Sequence, residues 1–214
     1  MRTALLLTLP LALLSAAGCK SAYYATMETF GKHKRDLLVS EVESARTEQA
    51  EAQQQFRSTY EHLRHLTGYK GGELEELYDD LASELEGCED AAEDVADRID
   101  AIEEVARDLF IEWSDEIEQI QNVELRESST ELRAQTKARC EELVAAMRTA
   151  EKKMEPVLVA FRDQVLYLKH NLNARAIASL TDVVIEIEGD VDALIADMDR
   201  AIREADDFLR SMEG

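Results

Sequence analysis

The chain has 214 residues, a formal net charge of −22 at pH 7, and only 8 glycines and 2 prolines. The charge argues against nucleic acid as a partner, because the phosphates would be repelled by this surface. Charged residues make up 33% of the chain and aromatic residues 6%, which is typical of long helices rather than of a thick globular core. No linker-like stretch follows residue 20, so we expect one elongated all-α domain.

Residues 1–18 are interpreted as a secretory signal peptide. Arg2 is followed by an apolar run over residues 4–14, which is too short to span a bilayer. The run ends in Ala16-Ala17-Gly18-Cys19, similar to a bacterial lipoprotein signal, in which the cysteine is acylated, with palmitate for example, and becomes the new N-terminus. An ordinary cleaved signal with a chance cysteine is the alternative. We predict lipidation at Cys19 and stable anchoring through two or three acyl chains.

The residues after Cys19 indicate where the anchor is placed. Lys20 stands where an aspartate would indicate retention at the inner membrane, so we expect the periplasmic face of the outer membrane. Residues 19–36 then form a lipidated tether. Its aromatic side chains, Tyr23, Tyr24 and Phe30, either contact the lipid interface or pack on the end of the helical body.

Residues 37–214 carry four apolar seams in steps of three and four, the pattern of coiled-coil helices. The first seam is Leu38, Val42, Ala45, Gln49, Ala52, Phe56, Thr59, Leu63 and Leu66. The second is Tyr78, Leu81, Leu85, Cys88, Ala92, Val95, Ile99, Ile102, Ala106, Leu109 and Trp113. The third is Leu132, Leu143, Met147, Ala150, Met154, Val157, Phe161, Val165, Leu168 and Leu172. The fourth is Ile177, Leu180, Val184, Ile187, Val191, Leu194, Met198, Ala201, Ala205, Phe208 and Met212.

The joins between the seams define the fold. Glycines at 68–72 end the first helix, and the third restarts at Ser128-Ser-Thr-Glu131 with capping-box spacing. Pro156 is expected to kink the third helix without breaking it. Residues 170–173 lack glycine and proline, so the chain either turns there, with Asn173 as N-cap, or continues. We predict an elongated antiparallel coiled-coil, four-helix bundle; the alternative is three helices with one very long C-terminal helix.

Charge favours the four-helix arrangement. Residues 73–120 hold 20 acidic and two basic side chains, a formal charge of −18, and residues 173–214 sum to −7. Residues 20–72 and 121–172 each sum to +1. In an up-down-up-down bundle the first and third helices are diagonal, so each acidic helix has two cation-bearing neighbours.

No catalytic constellation is present, and we predict a protein that is not an enzyme and binds no cofactor or metal. None of the four histidines has a glutamate three positions before it, as a di-iron bundle requires. His62 and His65 lie one turn apart but have no carboxylate or cysteine in phase, which makes a weak metal site. His170, beside Asn171 and Asn173, indicates a turn rather than a ligand.

Two cysteines remain in the helical body, Cys88 and Cys140. A hairpin centred near residue 124 places Cys88 opposite residue 160, about 30 Å from Cys140. A disulfide needs Cα atoms within about 7 Å, so we predict none within one chain. Cys88 is expected on the seam, and Cys140 nearer the surface, where it could crosslink two molecules into a homo-oligomer.

Several motifs resemble a family of bacterial lipoproteins known as domain of unknown function 2959. They are Ser21-Ala-Tyr-Tyr24, His33-Lys-Arg-Asp36, Gly71-Gly72, Met154-Glu-Pro-Val-Leu158 and Leu166-Tyr-Leu-Lys-His-Asn-Leu-Asn-Ala174. The resemblance covers nearly the whole mature chain. The resemblance implies an envelope lipoprotein with a helical body. It implies no activity and no catalytic residue.

The expected function is that of a non-enzymatic cell-envelope lipoprotein. Acyl chains on Cys19 attach a helical rod to the membrane, and the rod acts as a scaffold or interaction module whose acidic faces engage a protein or envelope partner. The alternative is a periplasmic bundle that binds a small apolar ligand or a metal between its helices. Alanines in the seams, such as Ala92 and Ala201, leave little room for such a ligand.

Overall fold

The computed structural model describes residues 34–67, 74–171 and 174–213, with side chains described over 180–212 in the last range. These residues form four α-helices: α1 (Lys34–Leu66), α2 (Leu74–Gln119), α3 (Val123–His170) and α4 (Ala174–Glu213). Each helix packs against the helices next to it in the chain, and α4 also packs against α1. The short connections make neighbouring helices antiparallel. The predicted all-α, four-helix bundle is confirmed.

The join between α3 and α4 is a turn. The backbone N–H of Asn171 donates to the carbonyl oxygen of Leu168 at 3.0 Å and caps α3. α4 begins three residues later, at Ala174. The turn confirms four helices and excludes the three-helix alternative, whereas the predicted N-cap Asn173 lies outside the described residues. With 46 and 48 residues, α2 and α3 are each about 70 Å long.

α3 begins six residues earlier than the capping-box pattern predicts. Its N-cap is Asn122, whose side-chain oxygen accepts from the backbone N–H of Leu125 at 3.1 Å. Residues 128–131 therefore lie inside the helix, and the predicted start was wrong because asparagine caps a helix as well as serine does. α3 continues through Pro156 without a break, as predicted.

The core forms along the four predicted seams. Every seam residue on α1 is buried. Three seam residues on α2 are half-buried and pack against the core: Tyr78, Ala92 and Trp113. On α3 the prediction for Leu132 was wrong, because this side chain is 54% exposed. Leu172 and the side chain of Ile177 lie outside the described part of the chain.

α1 and α2 keep one register over their shared length. Three side-chain ion contacts follow each other at equal intervals of two heptads on both helices: Lys34–Glu112 at 2.8 Å, Glu48–Arg98 at 3.9 Å and His62–Glu84 at 3.1 Å. A shift of two heptads returns a side chain to the same face of its helix. The two helices therefore face each other in a constant antiparallel alignment.

Gly189 and Gly87 provide a matched pair of substitutions. A Cβ atom at Gly189 meets nothing within 4 Å, whereas one at Gly87 lies 2.9 Å from Nε2 of Gln55. Because glycine inside a helix costs about 1 kcal/mol relative to alanine, we expect Gly189→Ala to raise the free energy of unfolding by about 0.5–1 kcal/mol. Gly87→Ala must displace the Gln55 amide, which donates to the carbonyl oxygen of Glu84 at 3.1 Å, and should gain less. Equal gains in urea denaturation would contradict this packing.

Candidate functional site

Cys19, the predicted lipidation site, lies outside the described residues, but the structure locates where its tether joins the bundle. Nζ of Lys34 lies 2.8 Å from Oε2 of Glu112, near the end of α2. Arg35 donates a hydrogen bond to the carbonyl oxygen of Met212, in the last turn of α4. We call this end of the bundle, where α1 and α3 begin and α2 and α4 end, the N-terminal end. The tether therefore enters at one end of the rod.

A surface groove with a cavity volume of about 450 Å³ lies between α2 and α3 near the N-terminal end. It is lined by Glu103, Ala106, Arg107, Phe110, Ile111, Arg133, Lys137, Cys140, Glu141, Val144 and Ala145. We call it the α2–α3 groove. Its size is within the range of small-molecule sites.

Cations gather around the α2–α3 groove although the molecule is acidic. Arg107 is one of the two basic residues of α2. Nε of Arg133 donates to the carbonyl oxygen of Phe110 at 2.9 Å, which holds the guanidinium across the gap between the helices. Lys137 pairs with Glu141 at 3.5 Å, and this lysine is half exposed. The groove thus combines an apolar floor with three cations and two carboxylates, Glu103 and Glu141, around it.

The two body cysteines are free thiols, which agrees with the predicted absence of a disulfide. Arg162 pairs with Glu89 at 2.5 Å, so Cys88 faces the region of residue 160 as predicted. The prediction that Cys140 lies nearer the surface was wrong, because its side chain is only 3% exposed. A crosslink through Cys140 between two molecules is therefore not supported by the geometry.

Both thiols are expected to resist alkylation in the folded protein. Burial raises the pKa of Cys88 and that of Cys140 to about 11, so at pH 8 the reactive thiolate is about a hundredfold scarcer than in an ordinary cysteine. Iodoacetamide should label the folded chain slowly at pH 8 and the urea-unfolded chain quickly. Cys140, which lines the α2–α3 groove, should react before Cys88. Fast labelling of folded Cys88→Ser protein would show that Cys140 is open to solvent.

Ion pairs connect each acidic helix to both of its cation-bearing neighbours, as the charge distribution predicts. The pairs of α2 include Arg148 with Glu103 at 2.8 Å, Arg162 with Glu89 at 2.5 Å and Lys34 with Glu112 at 2.8 Å. Those of α4 include Lys153 with Asp197 at 2.5 Å and Arg46 with Asp206. The hydrogen bond from Lys153 lowers the pKa of Asp197. The two acidic helices are therefore separated by α1 and α3, which lie diagonally opposite each other.

A row of carboxylates on the outer face of α2 is left outside these pairs. Its members are Glu86, Asp90, Glu93, Asp94 and Asp97, all exposed. None of them makes an ion pair with another described residue. We call this row the acidic stripe. From residue 86 to residue 97 it extends about 17 Å along the helix.

Repulsion within α2 predicts that salt stabilises the protein. We expect the melting temperature at pH 7 to rise by about 2–4 °C between low salt and 0.5 M NaCl, equivalent to about 1 kcal/mol, because salt screens exposed like charges. The triple variant Asp90→Asn, Asp94→Asn, Asp97→Asn should melt higher at low salt and show a smaller rise. A melting temperature that falls with salt would mean that the attractive pairs between helices dominate.

The histidines of α1 and the possible metal ligands do not form a further site in the described residues. Nδ1 of His62 lies 3.1 Å from Oε1 of Glu84, and the neighbouring His65 is exposed. Within the described ranges, no three His, Cys, Asp or Glu side chains converge as metal ligands do. The same residues contain no helix that is both long and apolar enough to cross a bilayer.

Comparison with known protein families identifies the family of this chain. The model of a family described as "Protein of unknown function (DUF2959)" matches residues 23–212. The chain belongs to this family. The DUF2959 match begins at Tyr23, ahead of the first residue of α1, and ends in the last turn of α4, so it includes nearly the whole described bundle. No curated protein and no solved structure matches the chain.

Proposed function

We propose that this protein is a non-enzymatic lipoprotein of the bacterial cell envelope, placed on the periplasmic face of the outer membrane. Acyl chains on Cys19 attach it to the membrane, and the helical bundle serves as a scaffold or interaction module. The observation that carries the proposal is the entry of the chain at one end of a long rod, through Lys34 and Arg35. A rod attached at its end projects its far end about 50 Å or more from the attachment point.

The acidic stripe is the surface on which we place the partner. Its carboxylates are exposed and lack described partners, unlike Glu89 and Glu103 on the same helix, which pair with arginines of α3. Exposed charge of one sign speeds the encounter with a surface of opposite sign. The partner is therefore proposed to be a protein or envelope component with a cationic surface.

Site-specific photo-crosslinking in living cells tests this proposal. A photoreactive amino acid at Asp90 or Asp97 should capture a partner, whereas the same probe at Ile185 should not. Ile185 is a matched control because it is 65% exposed and lies on α4, diagonally opposite α2. Equal capture at all three positions, or at Ile185 alone, would contradict binding through the acidic stripe.

A second candidate function is favoured by the α2–α3 groove. Its apolar floor and the cations Arg107, Arg133 and Lys137 suit a small amphipathic anion such as a fatty acid. Native mass spectrometry of the purified protein should then show a retained ligand. Ala145→Phe, which fills the groove, should abolish the added mass, whereas Ala138→Phe, an exposed position of α3 outside the groove lining, should keep it. Wild-type protein without added mass would argue against this candidate.

A further inference from the structure

The α2–α3 hairpin extends past the described parts of α1 and α4 at the N-terminal end. α1 begins at the level of Glu112, and Arg35 reaches the carbonyl oxygen of Met212 near the end of α4. α2 continues from this level to Gln119, and α3 starts at Val123. Seven further residues of α2 correspond to about 10 Å of helix. Neither α1 nor α4 has described residues beside this part of the hairpin, which we call the overhang.

The overhang and its base present apolar surface to solvent. Val123 is 53% exposed, Leu125 62% and Leu132 54%. At the base of the overhang lies a cleft of about 700 Å³, whose lining includes Leu109, Trp113, Leu132 and Met212. Leu125 and Leu132 are seven residues apart and therefore lie on the same face of α3, and exposed apolar surface of this kind marks an interaction site.

The chain segment nearest to the cleft is the one that precedes α1. Lys34, the first residue of α1, itself lines the cleft, so residues 20–33 depart from this point. In that segment Tyr23, Met27 and Phe30 recur in steps of four and three, and Phe30 precedes the buried Leu37 by seven. This is the spacing of one apolar face of a helix, in phase with α1.

The register of α1 against α2 gives the position of each of these residues. Lys34 pairs with Glu112, and the same alignment holds two heptads and four heptads further along α1. Continued toward the N-terminus, the alignment places Phe30 opposite residue 116 and Met27 opposite residue 119, the last residue of α2, and Tyr23 falls about one helical turn beyond that end. These positions span the overhang from its base to its tip.

The charge of residues 20–33 is also complementary to that of the cleft. Residues 20–33 hold two lysines and one glutamate, a formal charge of +1. The α2 side of the cleft and of the adjoining surface carries Asp108, Glu112, Asp115 and Glu116. The family match also begins at Tyr23, so the matched region includes most of this segment.

We propose that residues 23–33 pack along the overhang and cover its apolar side chains, so that the bundle is completed at its N-terminal end by the chain itself. Only residues 20–22 then separate Cys19 from the packed structure, and the rod is held close to its anchor. The packing does not depend on acylation of Cys19. Failure of the anchoring proposal and failure of this one are therefore distinguishable.

Hydrogen exchange of the chain from residue 20 onward, which contains the entire described core, tests the proposal. In the triple variant Tyr23→Ser, Met27→Ser, Phe30→Ser, the amide hydrogens of residues 123–132 should exchange with solvent about tenfold faster than in the unsubstituted chain. This rate change is equivalent to a loss of about 1.4 kcal/mol of local stability. The control carries the same number of serines at exposed apolar positions away from the overhang: Val159, Leu166 and Ile185. It should leave these amides unchanged.

Three outcomes would overturn the proposal. The first is exchange of residues 123–132 that is the same with and without the triple substitution. The second is protection that appears only at high protein concentration, which would assign the overhang to a second copy. The third is protection that appears only with phosphatidylcholine vesicles, which would assign it to the membrane.

A disulfide test remains decisive if the triple variant does not fold. Phe30→Cys combined with Glu116→Cys should crosslink under mild oxidation. Phe30→Cys combined with Glu86→Cys, about 45 Å further along α2, should not. Equal crosslinking in both pairs, or none in the first, would contradict the packing.

Discussion

Phe161→Ala is expected to lower the free energy of unfolding by about 3–5 kcal/mol, because it empties a central position of the core. Phe161 of α3 is 1% exposed and Phe56 of α1 is 0% exposed. Their ring centroids lie 6.3 Å apart with the rings tilted by 34°, a separation at which aromatic pairs attract each other. The two rings join diagonal helices through the centre of the bundle, so removing one leaves a cavity that four helices surround.

Urea denaturation measures this effect, and two further variants make it specific. Val159→Ala, on the same helix but 42% exposed, should change stability by less than about 0.5 kcal/mol. A double-mutant cycle between Phe56→Ala and Phe161→Ala should give a coupling energy of about 0.5–1.5 kcal/mol. Additive losses would show that the two rings do not interact across the bundle.

Gln49→Met is expected to stabilise the protein by about 1–3 kcal/mol, because it removes a buried amide that is not hydrogen-bonded. Gln49 is 0% exposed, and neither its Nε2 nor its Oε1 has a hydrogen-bond partner in the described structure. Along the bundle, Gln49 of α1 lies between two contacts that join α1 to α4, Arg46–Asp206 and Gln53–Asp199. The core residues of α4 there are Ala201 and Ala205, which leave space that a flexible methionine can fill.

Gln53→Met is the matched control for Gln49→Met. Nε2 of Gln53 donates to Oδ1 of Asp199 at 2.8 Å and to the carbonyl oxygen of Ile195 at 3.1 Å. Its replacement should therefore lower stability, by about 0.5–1.5 kcal/mol. If Gln49→Met lowered stability as much as Gln53→Met does, Gln49 would have a buried partner such as a water molecule or a ligand.

The seams predicted most of the core because a heptad repeat specifies which side chains face inward before any tertiary contact is known. The seams missed buried residues on all four helices, among them Leu37, Phe110, Leu158 and Ile195. On α3, Thr136 and Cys140 are buried, and the third seam passed over both between Leu132 and Leu143. Thr136 is buried because its hydroxyl donates to the carbonyl oxygen of Leu132 at 2.9 Å, which satisfies the polar group locally.

The surfaces were less predictable than the core. The α2–α3 groove combines Arg107 with Arg133 and Lys137, which lie on different helices, so only the register of the hairpin brings them together. The overhang depends on where α1 starts relative to α2, which the ion pair between Lys34 and Glu112 shows. The turn at Asn171 was one of two alternatives in the sequence, because neither glycine nor proline marks it.

The central claim, a helical rod attached to the membrane through Cys19, is tested most directly by metabolic labelling of producing cells with a radioactive fatty acid. We predict that the wild-type chain incorporates the label and that Cys19→Ser does not and keeps its signal peptide as a heavier precursor. Cys88→Ser and Cys140→Ser, which replace the buried thiols of α2 and α3, serve as controls and should incorporate the label like the wild type. Undiminished incorporation in Cys19→Ser would contradict the claim.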